Sequence, residues 1–365
     1  MTAPAKRFAE LDFFRGLALL IIVVDHIGGS ILSRATLHAF ALCDAAEVFV
    51  FLGGFAAAVA YQAHSARVTE AGARKRFMRR ALQIYRAFLI TAGLMLLTSA
   101  ILRAFSIDAP NMNRGDLDGL IASPARVLRD ILLLKRQPYL SAVLPMYVFF
   151  AAAVPFVLPL AHRRPRLLIA ASVATWAAAP WLNRYLPSID GARWDFNPFA
   201  WQLLFVMGAL ARCQPIHQHV SASQYGRFAT LLAWAVAGAI AVYVIFVSPH
   251  ASGGVLKQNL AWMRVISFTA IAWAVGSLIR RGWAARLADA VPAVGAIGRQ
   301  GTLCFVGGAV ISLAIDSVLF QLTGGRLNVP LGLLADALAI ATLVAVSRLP
   351  AVMAALTPAS PSSSR

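Results

Sequence analysis

The feature that most constrains this chain is a succession of long apolar runs separated by clusters of lysine and arginine. Several runs reach the roughly 18 residues that, as a helix, cross about 30 Å of hydrocarbon. A chain built this way becomes a helical bundle, because in lipid each segment has to satisfy its own backbone hydrogen bonds. Composition agrees, with 59% hydrophobic and 13% charged residues where soluble domains carry about 45–50% and about 25%.

The expected fold class is therefore all-α, a polytopic integral membrane bundle of about ten transmembrane helices. The first five runs are Leu11 to Leu32, Ala45 to Ala63, Ala81 to Leu102, Leu140 to Leu160 and Leu167 to Trp181. The second five are Phe199 to Leu210, Phe228 to Val247, Val265 to Leu278, Leu303 to Leu322 and Val329 to Val346. Residues 1–355 read as one membrane domain, and the Ser- and Pro-rich stretch 356–365 as a disordered tail. The segment Phe105 to Tyr139, rich in alternating aspartate and arginine, reads as an ordered excursion from the membrane. The first run is long, carries Arg15, Asp25 and His26, and lacks a clean small-residue cleavage site after it, so it reads as a retained helix.

A formal charge of +18 would suggest nucleic acid in a soluble protein. In a membrane chain it is the cation excess of cytoplasmic loops, and no nucleic-acid partner is expected. Lys6 and Arg7, Arg67 with Arg74 to Arg80, Arg163 to Arg166, and Arg280, Arg281 and Arg286 fall on alternate sides of the runs. That places both termini in the cytoplasm. Cys43, Cys213 and Cys304 are far apart and form no metal or disulfide pattern, so no metal site is expected.

Chemistry is sought where ionisable side chains enter apolar runs, since such groups are costly there and mark functional paths. On the first run Arg15 and His26 lie within about 20° of one helical face and about 16 Å apart, with Asp12 near the same stripe. Interfacial anchoring accounts for Asp12 and Arg15 as well as a functional path does, and less well for Asp25 and His26. The second run opens Asp44-Ala45-Ala46-Glu47 and continues to Gly53-Gly54. Asp44 and Glu47 are spaced as a capping box. The alternative is that Glu47 or Asp44 reaches His26 and orients it as a general base. Gly53-Gly54 invites close helix packing.

These residues resemble the OpgC family, membrane proteins linked to succinylation of osmoregulated periplasmic glucans and similar to the type-3 membrane acyltransferases. The resemblance is carried by Leu11-Asp12-Phe13-Phe14-Arg15-Gly16, Asp25-His26 and Asp44 to Gly54. Further on it is carried by Leu144-Pro145-Met146-Tyr147, Asn197 to Gln202, and Lys257-Gln258-Asn259-Leu260 with Arg264. Two positions depart: Gly53 stands where a serine is expected, and Gln300 where a histidine is expected.

The resemblance implies an O-acyltransferase of the bacterial inner membrane. It would move an acyl group, succinyl foremost, from a cytoplasmic acyl-CoA-type donor to a hydroxyl of a periplasmic glucan or other glycan. No bound cofactor is implied; acyl-CoA, such as succinyl-CoA, is a substrate. On this reading His26 is the base, with Asp25, Asp44 and Glu47 as its catalytic neighbours. Arg15, Asp12, Arg76 and Arg80 face the donor, although the cluster around Arg76 is also explained by topology alone. Trp194, Asp195, Asn197, Trp201 and Gln202 suit sugar rings or an aromatic belt, and Lys257 and Arg264 suit an anionic acyl group or a helix flank. Asp316 and Asp336 read as bundle-facing polar contacts. Membrane lipid is the surrounding partner, and homo-oligomerisation is left open. The competing function is a transporter or flippase for an anionic or glycan substrate, with Asp25, His26, Asp316 and Asp336 as its polar path. A noncatalytic partner in glycan assembly is the third option.

Overall fold

The computed structural model describes residues 9–65, 70–189, 193–214, 216–248, 254–280 and 282–356. Lys6, Arg7, Arg67, Asp190, Arg281 and the tail from 357 onward lie outside the described residues. In chain order the first helices are α1 (Ala9–Asp25), α2 (Ala45–Ser65), α3 (Glu70–Ala104), α4 (Arg114–Ala122), α5 (Pro124–Leu132) and α6 (Val143–Arg163). There follow α7 (Pro165–Leu182), α8 (Pro198–Cys213), α9 (Ile216–Ala222), α10 (Gly226–Phe246) and α11 (Val255–Gln258). The last are α12 (Trp262–Ile279), α13 (Trp283–Ala290), α14 (Pro292–Arg299), α15 (Gly301–Thr323) and α16 (Val329–Leu356). Among the described residues there is no strand.

All ten apolar runs fall on helices. Among the described residues seven helices are long and apolar enough to cross a membrane: α2, α3, α6, α10, α12, α15 and α16. α1 and α8 have 17 and 16 residues, which at about 1.5 Å per residue leaves them short of a full hydrocarbon thickness. α8 is walled in by protein, with Trp201 and Leu204 fully buried. α10 is the opposite case, exposing Phe228, Leu231, Val242 and Phe246 along an apolar surface suited to lipid.

Two differences matter for function. α3 starts at Glu70, well before the predicted Ala81, so Arg74 to Arg80 are helical residues rather than a loop. The helix continues through them because Glu70 to Arg80 contains no proline and, apart from Gly72 and Phe77, consists of good helix formers. α1 stops at Asp25 instead of running on to Leu32, because Gly28-Gly29 ends it and the chain then folds into two 3₁₀ turns, Leu32–Ala35 and Leu37–Ala39. The segment 105–139 is ordered as expected, holding α4 and α5 and the ion pairs Arg114–Asp108 and Arg136–Asp116.

Glycine sets the closest helix contacts. A β-carbon on Gly54 would overlap the Phe205 carbonyl, and one on Gly208 would overlap that of Phe51, so α2 and α8 meet backbone to backbone. Gly16 and Gly298 do the same for α1 and α14. The apolar core has two main parts, one around Leu19, Phe88 and Leu343, the other around Val50, Met146 and Trp201. Val143 and Tyr147 of α6 pack against both, and the seam between the two parts runs past them.

Candidate functional site

Two cavities lie along this seam. One, of about 860 Å³, is lined by Arg15 of α1 and by Lys75, Arg76, Arg79 and Arg80 of α3. The other, of about 480 Å³, is lined by Asp25, His26, His38, Asp44, Asp195 and Lys257. Four helices contribute to both: α1 through Arg15 and then Ile22, α2 through Gly53 and then Ala46, α6 through Tyr147 and then Val143, and α15 through Phe305. Phe49 and Phe305 line both cavities, and their rings stack with centroids 6.5 Å apart, forming a shared wall.

The cationic cavity has this character because α3 presents residues 72, 76, 80 and 83 at helical spacing to one side. Arg80 donates to Thr302 at 2.9 Å. Arg15 lies 4.0 Å from Asp12, one turn earlier, and its guanidinium occupies room that the missing side chain of Gly301 leaves free. Asp12 itself is outside the lining, and no carboxylate lines this cavity among the described residues. Cations gathered in a cavity with no carboxylate among its described lining residues suit a polyanion.

In the histidine cavity, the turn carrying His26 is pinned from both sides. Gly28 N–H donates to Asp316 at 2.7 Å, and Ile31 and Leu32 N–H both donate to Asp336 at 2.9 Å. Ser312 donates to the Val23 carbonyl at 3.0 Å. Asp316 and Asp336 thus belong to the scaffold, receiving backbone amides of the loop. The His26 ring lies 2.6 Å through Nδ1 from the Ile22 carbonyl. A carbonyl only accepts, so Nδ1 carries a proton, and in the neutral ring Nε2 then keeps its lone pair, the form a general base needs.

The carboxylates expected to steer His26 do something else. Arg264 donates to Glu47 at 2.6 Å through Nε and to Asp44 at 3.1 Å through Nη2, while Lys257 donates to the same Asp44 oxygen at 2.7 Å. Glu47 also accepts the Asp44 N–H at 2.9 Å, and Asp44 accepts the Ala46 N–H at 2.8 Å, so the two acids cap α2 while they pair with Lys257 and Arg264. Burial by itself would raise the pKa of Asp44, but Lys257 and Arg264 outweigh it and hold the carboxyl below its ordinary range. Glu47 is oriented toward Arg264 rather than toward His26; the backbone of Ile22 has taken over the orienting role.

Asp25 faces a partner that sequence spacing did not reveal. Thr36 donates to it at 2.7 Å and His38 Nδ1 lies 3.2 Å away, making His38 a second imidazole at the same cavity, this one held by an aspartate. The hydrogen bond to Asp25 raises the His38 pKa, against the opposing effect of burial. Tyr139 sits edge-on to His26, with centroids 6.2 Å apart, and burial pushes its phenol up to about 12. Burial also raises Asp195, which Lys257 partly offsets. Thr36, His38 and Tyr139 lie in irregular segments, where no periodicity could single them out.

The residues expected to hold acceptor or acyl group divide. Lys257 lines the cavity, its ammonium 5.6 Å from the Phe196 ring. Arg264 is 1% exposed and committed to Glu47 and Asp44. Trp194, Asn197, Trp201 and Gln202 line neither cavity. Asn197 caps α8 and bonds to Ala179 and Asn259, Trp201 donates to the Lys257 carbonyl, Trp194 donates to Pro187, and Gln202 exchanges bonds with Ser172. Trp194, Asn197 and Trp201 are buried supports for the strip that carries Lys257, and Gln202 is half-buried against Ser172; their polar atoms are taken up by backbone and neighbours. Gln300, the expected histidine position, joins α14 to α15 and also lies outside both linings.

Neither a curated protein nor a solved structure matches the chain. The family model described as OpgC protein matches residues 7–354. That range takes in α1 with Arg15 and His26, the Asp44 to Arg264 cluster and both cavities, and on that match the chain belongs to the OpgC protein family.

Proposed function

We propose that this protein is a membrane O-acyltransferase that draws an acyl group, succinyl foremost, from an acyl-CoA-type thioester on the cytoplasmic side. The acceptor is a hydroxyl of an extracytoplasmic glucan. Family membership over most of the chain, with the polytopic helical fold, supports a general acyltransferase role and a multi-pass inner-membrane location. The observation that carries the finer reading is the pair of cavities of unlike chemistry, joined at Phe49 and Phe305 and served by the same four helices. A polyanionic donor fits the Arg- and Lys-lined cavity. A sugar hydroxyl fits the other, where neutral His26 has Nε2 free to take its proton as the oxygen attacks the acyl carbonyl. The proton returns to the departing thiolate or to solvent, and the acyl group ends on the sugar oxygen. Lys257, at the rim, suits the carboxylate of a dicarboxylic acyl chain.

The transport reading asks for exchangeable carboxylates along a path. Asp316 and Asp336 meet that need poorly, since each is engaged by fixed backbone donors. The test is mass spectrometry of extracytoplasmic glucans from cells expressing the protein or its His26→Ala variant at matched membrane levels. The expected result is an added acyl mass with the native protein that falls by about 10²- to 10⁴-fold in the variant. Equal acylation by both forms removes His26 from the reaction, and no acylation by either rejects the glucan as acceptor.

A further inference from the structure

One face of α2 runs from one cavity into the other. Ala46 and Phe49 line the histidine cavity; Phe49, Gly53, Ala56 and Ala60 line the cationic one. From Phe49 to Ala60 this floor is about 16 Å long at 1.5 Å per residue. Its small side chains leave a slot leading inward from the cations of α3. The slot alone does not define a ligand. What it leads to does: Tyr147, on α6, closes its inner end with its ring edge-on to Phe49, centroids 5.7 Å apart.

The Tyr147 hydroxyl is buried and has no hydrogen-bond partner among the described residues. It abuts Gly53, where a β-carbon would lie 3.2 Å from the oxygen and 3.0 Å from Cε1. Phenylalanine would fill the same volume without leaving a buried O–H unpaired, so packing does not account for the oxygen. Arg15, the charged side chain of α1 in this cavity, has no acceptor to offer it. The hydroxyl is therefore a spare donor on a residue that lines the cationic cavity and packs edge-on against Phe49 of the shared wall.

We propose that Tyr147 reads the acyl group of the donor: its hydroxyl donates a hydrogen bond to the carbonyl oxygen of an acyl thioester. The anionic head of that thioester lies among Arg76, Arg79 and Arg80, and its slender arm lies along Gly53, Ala56 and Ala60. This deepens the donor assignment above and rests on it. The contact sets the carbonyl against the Phe49 and Phe305 wall, beside the cavity of His26. It also distinguishes substrate from product, because the free thiol left after transfer is a weak acceptor and leaves the hydroxyl unpaired again.

The test is calorimetric binding of acetyl-CoA, succinyl-CoA and free CoA to the full-length protein in lipid nanodiscs, for the native chain, Tyr147→Phe and Gly53→Ser. The native chain is expected to prefer either thioester over free CoA by roughly fivefold to thirtyfold. Tyr147→Phe should erase that preference while free CoA binds as before, with thermal unfolding unchanged. Gly53→Ser should also erase the preference with the tyrosine in place, since it sets a second hydroxyl within reach of the phenol, and it should weaken all CoA forms by narrowing the path of the arm. A preference that survives Tyr147→Phe overturns the assignment. So does a loss seen with succinyl-CoA alone, which would move the contact to the distal carboxylate. Arg80→Gln separates the two layers of the argument. If neither CoA form binds, or binding is indifferent to Arg80→Gln, the donor reading fails and this proposal with it. If binding depends on Arg80 but the preference ignores Tyr147, only the role of Tyr147 is rejected.

Discussion

The two cavities hold similar kinds of charged group and use them in opposite ways. In the histidine cavity and the layer behind it, Asp44 and Glu47 are matched by Lys257 and Arg264, and Asp25 by His38. In the cationic cavity Lys75, Arg76, Arg79 and Arg80 line the wall without a carboxylate among the described lining residues. Matched charges in a buried layer fix geometry; gathered like charges open to a cavity await a ligand of the other sign. On the donor reading proposed above, the same bundle has one end whose electrostatics are settled on folding and another whose electrostatics are completed on binding.

The comparison breaks most visibly if one charge is removed from the settled end. Arg264→Met leaves Glu47, which is 0% exposed, without its cation. Breaking a buried pair from one side costs roughly 3–5 kcal/mol, whereas replacing both members by apolar residues is often close to neutral. Arg264→Met is thus expected to lower the apparent Tm in detergent strongly, and Glu47→Leu combined with Arg264→Met to recover most of the loss. Equal Tm values for Arg264→Met and the native chain would mean that the cluster is solvated, and the contrast between the two ends would disappear.

How much of this was legible in the sequence follows the same division. Helix positions and the stripe of Arg15 and His26 could be read because periodicity is local and each apolar run carries its own signal. Glu47 and Asp44 were found as acids at a helix start, but their pairing with Lys257 and Arg264 spans more than two hundred residues, and no spacing rule reaches that far. His38 was missed because it lies in the 3₁₀ turn Leu37–Ala39, where side-chain direction is set by the pinning of the loop on Asp316 and Asp336. Trp201 and Asn197 were read as sugar contacts from residue type; burial decides otherwise, and burial of α8 depends on glycine contacts made in three dimensions. Gly54 was legible for the complementary reason, since a paired glycine inside an apolar run has few uses besides close packing.

At the unsettled end the expected response is smaller and different in kind. Arg80→Gln removes a cation that shares its cavity with Arg15, so folding stability should stay level or rise slightly. Affinity for an acyl-CoA should fall about tenfold to a hundredfold, the range of one hydrogen bond to a charged group. Added salt should weaken binding to the native chain more than to the variant. Isothermal titration at two ionic strengths checks both. A variant that loses stability and keeps affinity would reassign Arg80 to the structural class and leave the cationic cavity without its distinguishing property.

The smallest effect lies at the edge of the histidine cavity, where the settled charges come nearest to solvent. His38 is held by Asp25 at 3.2 Å, and that hydrogen bond raises its pKa while burial and Lys257 act the other way and Asp44 assists. A group whose pKa is raised on folding stabilises the fold fully below its unfolded value, about 6.5 for histidine. The contribution is lost as pH climbs through the folded value. The native chain should therefore lose a small part of its Tm advantage over His38→Gln as pH rises from about 5.5 upward, with the two curves converging once His38 is neutral in both states. The side chain is 38% exposed, so solvent screening keeps the difference modest. Asp25→Asn should flatten the native curve in the same way, because the partner and not the ring carries the shift. A Tm difference between native and His38→Gln that stays constant across the range would show that His38 is held by Thr36 and packing alone, and the matched charges would then end at Asp44.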